Sequence, residues 1–253
     1  MRQRAAIIMA AGKGTRMNDP NKAKVMYEIL GKPMIHYVSD LALELNMQRV
    51  LVVVGYQREA VSAYLRLSHP NIECVVQAEQ LGTGHAVMQA EQALQGFAGD
   101  VVVLSGDVPL LTKNSMDELI GHHLESKAVA TILSAEMEDP AGYGRIIRNA
   151  DGSVKKIVEH RDASAQELAV REINSGIYVF EKDKLFDGLK HITPHNAQNE
   201  YYLTDVFAYF WTHHWKVSAL KVRDVNEIRG INTVAQLEEA TVLMDKRLQF
   251  AAR

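Results

Sequence analysis

The chain has 253 residues, 47% of them hydrophobic, which is enough for one large or two small domains with a buried core. Its formal net charge of -3 provides no overall basic field, which argues against non-specific binding of nucleic acid or membrane surfaces. The single cysteine, Cys74, allows no disulfide within the chain, and we expect a cytoplasmic protein without a signal peptide or membrane span.

The first half of the chain alternates short apolar runs with helical patterns. Buried parallel strands are predicted by four runs rich in β-branched residues, at 5–11, 49–55, 72–76 and 100–107. Apolar residues at helical spacing predict a helix over 34–45 and another over 87–94. This alternation predicts a doubly wound α/β sheet.

Strand-like runs predominate after about residue 127. They lie at 128–137, 144–149, 153–160 and 173–181. Residues 149–152, Asn-Ala-Asp-Gly, are typical of a hairpin turn, so we predict an antiparallel extension beside the parallel core. A helix near 200–214, a strand over 216–222 and a terminal helix from Val234 follow. We expect one face of that last helix to carry Val234, Leu237, Met244 and Leu248.

A glycine-rich turn, residues 12–14, follows the first predicted strand, and Arg16 and Lys24 come soon after it. A dinucleotide-binding turn would need a third glycine where Met17 stands, and a Walker A loop would need a glycine where Ile7 stands. Backbone N–H groups and clustered cations favour a phosphate site of another kind. A solvated, positively charged loop is the alternative interpretation.

Further motifs follow in order along the chain. With the turn they lie at 10–17, 24–35, 77–86, 105–111, 139–146, 157–163, 172–179, 196–205 and 230–232. Together they resemble the signature of the nucleotide-sugar pyrophosphorylases, which are sugar-phosphate nucleotidyltransferases, over essentially the whole chain. Within that family they most closely resemble the uridyltransferase half of the bacterial bifunctional N-acetylglucosamine-1-phosphate uridyltransferases.

The resemblance implies a fold and a domain plan. The fold would be a Rossmann-like, doubly wound mixed sheet of the nucleotide-diphospho-sugar transferase (GT-A-like) class, with a small antiparallel extension. A single nucleotidyltransferase domain over 1–253 would have a nucleotide-binding half to about residue 127. A sugar-binding half would follow over about 128–232, and a terminal helix over 233–253. The sequence has no hexapeptide repeats, so we expect no left-handed β-helix and no acetyltransferase activity.

The resemblance also implies a reaction. With Mg²⁺, UMP would pass from UTP to N-acetylglucosamine 1-phosphate, giving UDP-N-acetylglucosamine and pyrophosphate. The attacking phosphate is already an anion, so we expect positioning and charge stabilisation rather than a general base. Arg16 and Lys24 would be the catalytic cations, and Asp107 with Asn232 would bind the metal. The other implied substrate-binding residues are Met9, Ala10, Ala11, Gly12, Lys13, Gln77, Gly82, Thr83, Ser105, Gly106, Gly144, Glu159 and Asn174.

Plainer interpretations stay open for several of these residues. Asn232 taken alone reads as a helix N-cap, Gln77 as a surface residue at a strand end, and Glu159 as an exposed strand residue. Tyr201, Tyr202 and Thr204 are further candidates for the sugar pocket, although core packing is the plainer role for at least one tyrosine. The histidines show no partner carboxylate or metal-ligand spacing, and we interpret them as structural or exposed.

Two departures from the family pattern leave alternatives open. Ala23 stands where the family generally has proline, which bears on how Lys24 is presented. Ser105 stands where the most similar relatives usually have tyrosine, so the sugar is not fixed. A related enzyme using glucose 1-phosphate or another nucleotide is one alternative. A catalytically silent, nucleotide-sugar-binding regulatory protein is another, and the sequence leaves the oligomeric state open.

Overall fold

The computed structural model describes residues 2–17, 19 and 21–251. The strands are β1 Arg4–Ala10, β2 Glu28–Ile29, β3 Lys32–Pro33, β4 Arg49–Val54, β5 Glu73–Val76, β6 Asp100–Ser105, β7 Ala130–Glu136, β8 Gly144–Arg148, β9 Val154–Val158, β10 Glu172–Glu181 and β11 Val217–Lys221. The helices are α1 Met34–Glu44, α2 Arg58–Ser68, α3 Thr83–Met88, α4 Lys113–Ser126, α5 Ala165–Leu168, α6 Lys182–Leu189, α7 Val206–Thr212 and α8 Val234–Ala251. Short 3-10 helices lie at Lys24–Met26, Leu203–Asp205 and Val225–Ile228.

One sheet runs through both halves of the chain, in the strand order β11-β7-β10-β6-β1-β4-β5. Strands β6, β1, β4 and β5 are parallel, and β10 runs antiparallel to β6 and β7. Strand β8 pairs with β10, and β9 pairs with β8 through the predicted turn at 149–152. The predicted mixed sheet with an antiparallel extension is therefore confirmed.

The central strands are apolar on both faces because helices cover both faces. In the register of β1 and β4, Ile7 faces Leu51 and Ile8 faces Val52. Ile7 and Leu51 pack in a core with α3, α6 and α7, whereas Ile8 and Val52 pack in a second core with α1, α2 and α4. Two hydrophobic layers thus hold the sheet between them.

Some helices differ from the sequence expectation. Helix α2 was not predicted, because its buried face consists of Val61 and Leu65 and the rest of its surface is largely polar. The helix predicted over 87–94 is displaced toward the N-terminus: α3 ends at Met88, and residues 89–94 form turns.

The terminal helix α8 is present, but the prediction of which residues form its apolar face is partly wrong. The side chains buried there are Ala240 and Met244, which share a hydrophobic cluster with Ile29 of β2. Val234 and Leu248, predicted on the same face, are exposed. Residues 252 and 253 of the predicted helix lie outside the described residues. Nowhere in the described ranges is a helix long and apolar enough to cross a membrane.

The parallel strands β1, β4 and β6 end at one edge of the sheet, which we call the carboxyl edge. The glycine turn follows β1 there, and Gly106 and Asp107 follow β6. A hydrogen bond of 2.9 Å from the backbone N–H of Ile231 to the carbonyl of Asp107 brings the turn before α8 to the same edge. Ligands of open α/β sheets bind at such edges.

Candidate active site

A lysine joins three segments of the chain at the carboxyl edge. Lys24 begins a short 3-10 helix, and its Nζ forms an ion pair with Oδ2 of Asp107. The same Nζ donates a hydrogen bond of 2.7 Å to Oδ1 of Asn232. Nη2 of Arg16 donates to that amide oxygen at 2.9 Å. The structure therefore brings together two cations, a carboxylate and an amide that the sequence assigned to separate motifs.

The ion pair is shielded from solvent, whereas the neighbouring cations are not. The side chains of Lys24 and Asp107 are 14% and 22% exposed, while Arg16 and Lys13 are exposed. Screening by water and salt weakens the attraction of exposed cations for phosphate more than that of a shielded one. We therefore expect Lys24 to contribute more than Arg16 or Lys13 to holding a polyanion.

Gly14 gives the stem of Lys24 room to reach Asp107. Its φ of +62° lies in the left-handed region that favours glycine. A Cβ atom at Gly14 would lie 2.5 Å from Cβ of Lys24 and 3.0 Å from its Cγ. The glycine turn therefore leaves space for the side chain of Lys24, and it also leaves backbone groups accessible to a ligand.

Ala23 presents Lys24 in a backbone conformation that proline also adopts. Its φ is −61° and its ψ is 137°, and proline fixes φ at about −65°. The departure from the family pattern at this position therefore leaves the backbone geometry in place.

The side chain of Asn232 is not the N-cap of α8, although the sequence alone favoured that role. Oγ1 of Thr233 accepts a hydrogen bond of 3.2 Å from the backbone N–H of Gln236. In return, Oε1 of Gln236 accepts from the backbone N–H groups of Thr233 at 3.1 Å and Asn232 at 2.7 Å. Thr233 and Gln236 thus form a capping box, which leaves Oδ1 of Asn232 to Lys24 and Arg16.

The residues predicted to bind a metal fit a hard divalent cation. The carboxylate of Asp107 and the amide oxygen of Asn232 already converge on one positive group, the Lys24 ammonium. Mg²⁺ prefers oxygen ligands and keeps several sites for water or substrate phosphate, so two protein oxygens suit it. Gly230 leaves space beside them, since a Cβ there would lie 3.4 Å from Oδ2 of Asp107.

The segment from Gln77 to Thr83 forms a second wall of the carboxyl edge. Gln77 is buried, and its Nε2 donates to the carbonyl of Gly82 at 3.1 Å. Gly82 has a φ of +109°, and a Cβ there would lie 2.6 Å from the carbonyl oxygen of Tyr201. Oγ1 of Thr83 accepts from the backbone N–H of Leu203 at 3.0 Å. These contacts fix the turn against the 201–203 segment.

A cavity of about 180 Å³ lies beside this turn. It is lined by Met9, Thr83, Ser105, Gly142, Tyr143, Gly144, Glu159, Asn174, Ser175, Gly176, Tyr178, Leu203 and Thr204. Oε1 of Glu159 accepts a hydrogen bond of 2.8 Å from Oγ1 of Thr204. Gly144 leaves room next to this carboxylate, since a Cβ there would lie 3.3 Å from Oε2 of Glu159. Burial raises the pKa of Glu159, because low polarity disfavours its charged form.

Asn174 lines this cavity just before an irregularity in β10. The pairing of β10 with β7 shifts register between Asn174 and Tyr178, and Gly176 has a φ of +80° between them. Nδ2 of Asn174 donates to the hydroxyl of Tyr178 at 2.7 Å, and the backbone N–H of Gly176 donates to Oδ1 of Asn174 at 3.3 Å. Burial raises the pKa of Tyr178, so its hydroxyl stays protonated.

The remaining predicted residues line the same edge at different depths. Ala10 and Ala11 are buried at the end of β1, whereas Gly12 is exposed. Gly106 is packed closely: its N–H donates to the carbonyl of Met9 at 2.9 Å, and a Cβ there would lie 3.1 Å from that oxygen. A ligand at this edge would therefore meet mostly backbone from these residues.

The family model described as nucleotidyl transferase matches residues 5–226. The chain belongs to the nucleotidyl transferase family. This match confirms the resemblance inferred from the motifs and the predicted enzyme class. A solved structure of UDP-glucose pyrophosphorylase complexed with UDP-glucose is similar with a TM-score of 0.78 and 20% sequence identity, covering 98% of this chain and 100% of that one. At that identity the likeness concerns the fold, and it confirms the predicted α/β class.

Curated relatives of this nucleotidyl transferase are longer proteins. The chain is 47% identical over 243 residues to the bifunctional protein GlmU of Streptococcus equi subsp. zooepidemicus, covering 96% of this chain and 52% of the relative. It is 46% identical over 248 residues to the bifunctional protein GlmU of a Geobacillus species, covering 98% of this chain and 53% of the relative. The chain thus spans about half the length of the relatives it matches.

Sequence reasoning missed some residues of this nucleotidyl transferase. Gln236 caps α8, and Tyr178 and Tyr143 line the cavity. A Thr-x-x-Gln pattern before the terminal helix was the available signal for Gln236. The two tyrosines lie inside recognised motifs but look like ordinary core residues.

The prediction that no histidine has a carboxylate partner was wrong. Nε2 of His36 lies 3.2 Å from Oδ2 of Asp40, four residues along α1, and Nε2 of His69 lies 2.9 Å from the other oxygen of Asp40. Nε2 of His123 lies 3.7 Å from Oδ1 of Asp100. The i, i+4 spacing of His36 and Asp40 was visible in the sequence, whereas the other pairs depend on the fold.

Proposed function

We propose that the chain transfers UMP from UTP to N-acetylglucosamine 1-phosphate, forming UDP-N-acetylglucosamine and pyrophosphate. The observation that carries this proposal is the convergence of Arg16 and Lys24 with Asp107 and Asn232 at the carboxyl edge. Two cations, together with two oxygen atoms that can bind a metal ion, suit a reaction that joins two polyanions. The 47% identity to a bifunctional GlmU supports the choice of base and sugar.

The proposed chemistry needs no proton transfer. A phosphate oxygen of the sugar 1-phosphate attacks the α-phosphorus of UTP and forms a new P–O bond. The bond from that phosphorus to the oxygen bridging the β-phosphate breaks, and pyrophosphate leaves with the electron pair. Because the nucleophile arrives as an anion, the main obstacle is repulsion between the substrates, which positioned positive charge lowers.

Lys24 and Arg16 perform that task in this proposal. Each now donates to Asp107 or Asn232, and each would exchange those oxygens for phosphate oxygens of UTP. Arginine can hold two phosphate oxygens at once, whereas lysine acts as a compact charge. Asp107 and Asn232 would hold Mg²⁺, which supplies charge stabilisation for the phosphates when bound.

The two walls of the edge would receive the two ends of the product. We assign the uracil to Gln77 with Gly82 and Thr83, since an amide both donates and accepts hydrogen bonds. We assign the sugar to the 180 Å³ cavity, where Glu159 and Asn174 can bind hydroxyl groups. Residues up to about 127 would thus bind mainly nucleotide, and those over about 128–232 mainly sugar.

A pyrophosphate-release assay with UTP and Mg²⁺ tests the proposal across a panel of sugar 1-phosphates. We expect the highest kcat/KM with N-acetylglucosamine 1-phosphate and a loss of about 10²-fold or more in Asp107→Ala. Asp117→Ala is the matched control, because it removes an exposed aspartate from an exposed pair with Lys113 on α4. Faster turnover of glucose 1-phosphate would overturn the choice of sugar. Tight UDP-sugar binding without turnover of any sugar would overturn the assignment as an enzyme.

A further inference from the structure

Two histidines and an aspartate meet between α1 and α2, away from the residues assigned to substrate. His36 and Asp40 lie on successive turns of α1, and His69 follows the last residue of α2. One potential ligand atom from each lies within 4.8 Å of the others. Nε2 of His36 lies 3.2 Å from one carboxylate oxygen of Asp40, and Nε2 of His69 lies 2.9 Å from the other.

The hydrogen bonds of Ser68 determine which nitrogen of His69 carries a proton. The hydroxyl of Ser68 donates its single proton to the carbonyl of Tyr64 at 2.9 Å. Its contact of 2.7 Å with Nδ1 of His69 therefore requires the ring to donate. In the neutral ring, Nε2 then has a lone pair directed at a carboxylate oxygen of Asp40. A positive species is needed at that contact, and it can be a proton or a metal ion.

His36 is anchored in a similar way. The hydroxyl of Tyr64 lies 2.9 Å from Nδ1 of His36, so both imidazoles are held through Nδ1 and turn Nε2 toward Asp40. Histidines that bind metals are commonly oriented by a hydrogen bond at their other ring nitrogen. The side chain of His69 is 3% exposed, that of His36 15%, and that of Asp40 45%. An ion could therefore enter on the Asp40 side and keep water on its open positions.

We propose that His36, Asp40 and His69 bind a transition-metal ion of the Zn²⁺ class. Two imidazole nitrogens and one carboxylate oxygen are typical zinc ligands. Two atoms that bind one tetrahedral ion at about 2.1 Å are about 3.4 Å apart. The contacts of 3.2 and 2.9 Å, which involve different oxygens of Asp40, are near that separation, and one ligand atom from each residue lies within 4.8 Å of the others. Binding would displace a proton from the cluster.

The expected role of the site is to fasten α2 to α1. Helix α1 packs against β1 and against the short helix that begins with Lys24, so the ion would stabilise an element that supports the carboxyl edge. An ion that binds only the folded chain raises the midpoint of unfolding. It makes no contact with substrate in this proposal, and catalysis would not require it.

The test measures Zn²⁺ binding to the tag-free, metal-stripped chain by calorimetry, and thermal unfolding with and without Zn²⁺. We expect one ion per chain at this cluster and a higher Tm. His69→Gln and Asp40→Asn should each raise the Kd at least about tenfold and reduce the rise in Tm. Exposed His195→Gln is the matched control and should change neither. Asp107→Asn should keep the binding, which separates this cluster from the candidate active site.

A second set of variants keeps the test decisive if His69→Gln does not fold. Asp40 is partly exposed, so Asp40→Asn is expected to fold. Ser68→Ala keeps all three ligands but removes the group that fixes the tautomer, and we expect about 10- to 100-fold weaker binding. Equal Zn²⁺ affinity in the wild type and Asp40→Asn would overturn the proposal. So would no binding to the wild type, since the cluster would then hold only a proton.

Discussion

Replacing Gly14 by alanine should disturb the position of Lys24. The new Cβ would lie 2.5 Å from Cβ of Lys24, whereas non-bonded carbons pack at about 3.5–4.0 Å. The two segments must therefore separate by about 1 Å. A side chain at a φ of +62° also costs about 1–2 kcal/mol in conformational energy.

Two separate magnitudes follow from this geometry. Overpacking costs about 1–3 kcal/mol, and Gly14 lies in a loop that can relax, so we take the lower end and expect a total loss of about 2 kcal/mol in unfolding free energy. A shift of about 1 Å in a positioning group can reduce the rate about 10²-fold. We therefore expect kcat/KM for pyrophosphate release to fall about 10²-fold in Gly14→Ala.

Gly96→Ala is the matched control for backbone strain. Gly96 has a φ of +77°, but a Cβ there would meet nothing within 4 Å in the described residues. We expect it to lose about 1 kcal/mol in urea unfolding and to keep its kcat/KM. The reasoning would be refuted if Gly14→Ala and Gly96→Ala had the same activity, because the contact with Lys24 would then have no effect on catalysis.

Three other changes test separate parts of the structure. Lys24→Ala should lower kcat about 10²- to 10³-fold in the pyrophosphate assay. The control Lys113→Ala changes a lysine in an exposed ion pair on α4 and should keep its kcat. Equal losses of kcat in the two variants would contradict a role of Lys24 at the site. Burial raises the pKa of Asp205 from 3.8 to about 6, so its ionisation opposes folding, an effect absent below about pH 4 and complete above about pH 6. That shift corresponds to roughly 3 kcal/mol, which solvent screening of a half-buried group reduces to about 1 kcal/mol. Asp205→Asn should thus stabilise the chain by about 1 kcal/mol near pH 8 and hardly at all near pH 4 in urea unfolding; a larger gain at the lower pH would show the sign to be wrong. Ala23→Pro should keep activity and add about 0.4–1 kcal/mol to the unfolding free energy. A loss of activity or of unfolding free energy would mean that the φ of −61° does not make position 23 suitable for proline.

The strands and the glycine turn could be predicted because their signals are local. Within the predicted runs, residues 50–54 and 101–104 are apolar at every position, which indicates strands covered on both faces. Helix α2 was missed because its local signal is weak. Its buried face consists of Val61 and Leu65, and the rest of its surface faces water. A short buried stripe gives little periodic signal.

The N-cap of α8 illustrates how neighbouring residues compete for one role. Asn232 and Thr233 are both good capping residues, and propensity alone favours Asn232. In the structure Gln236 pairs with Thr233, while Lys24 and Arg16 engage the side chain of Asn232. The contacts from distant segments determine which residue caps the helix and which faces the site.

The sequence by itself determined the alternation of strands and helices, the glycine turn and the set of motifs that indicate the family. These features depend on residue type and spacing within short windows. Only the tertiary structure placed Lys24 against Asp107, 83 residues away, and against Asn232, 208 residues away. It also placed His69 beside Asp40, 29 residues away. Such contacts depend on the order and register of the strands, which no local pattern encodes.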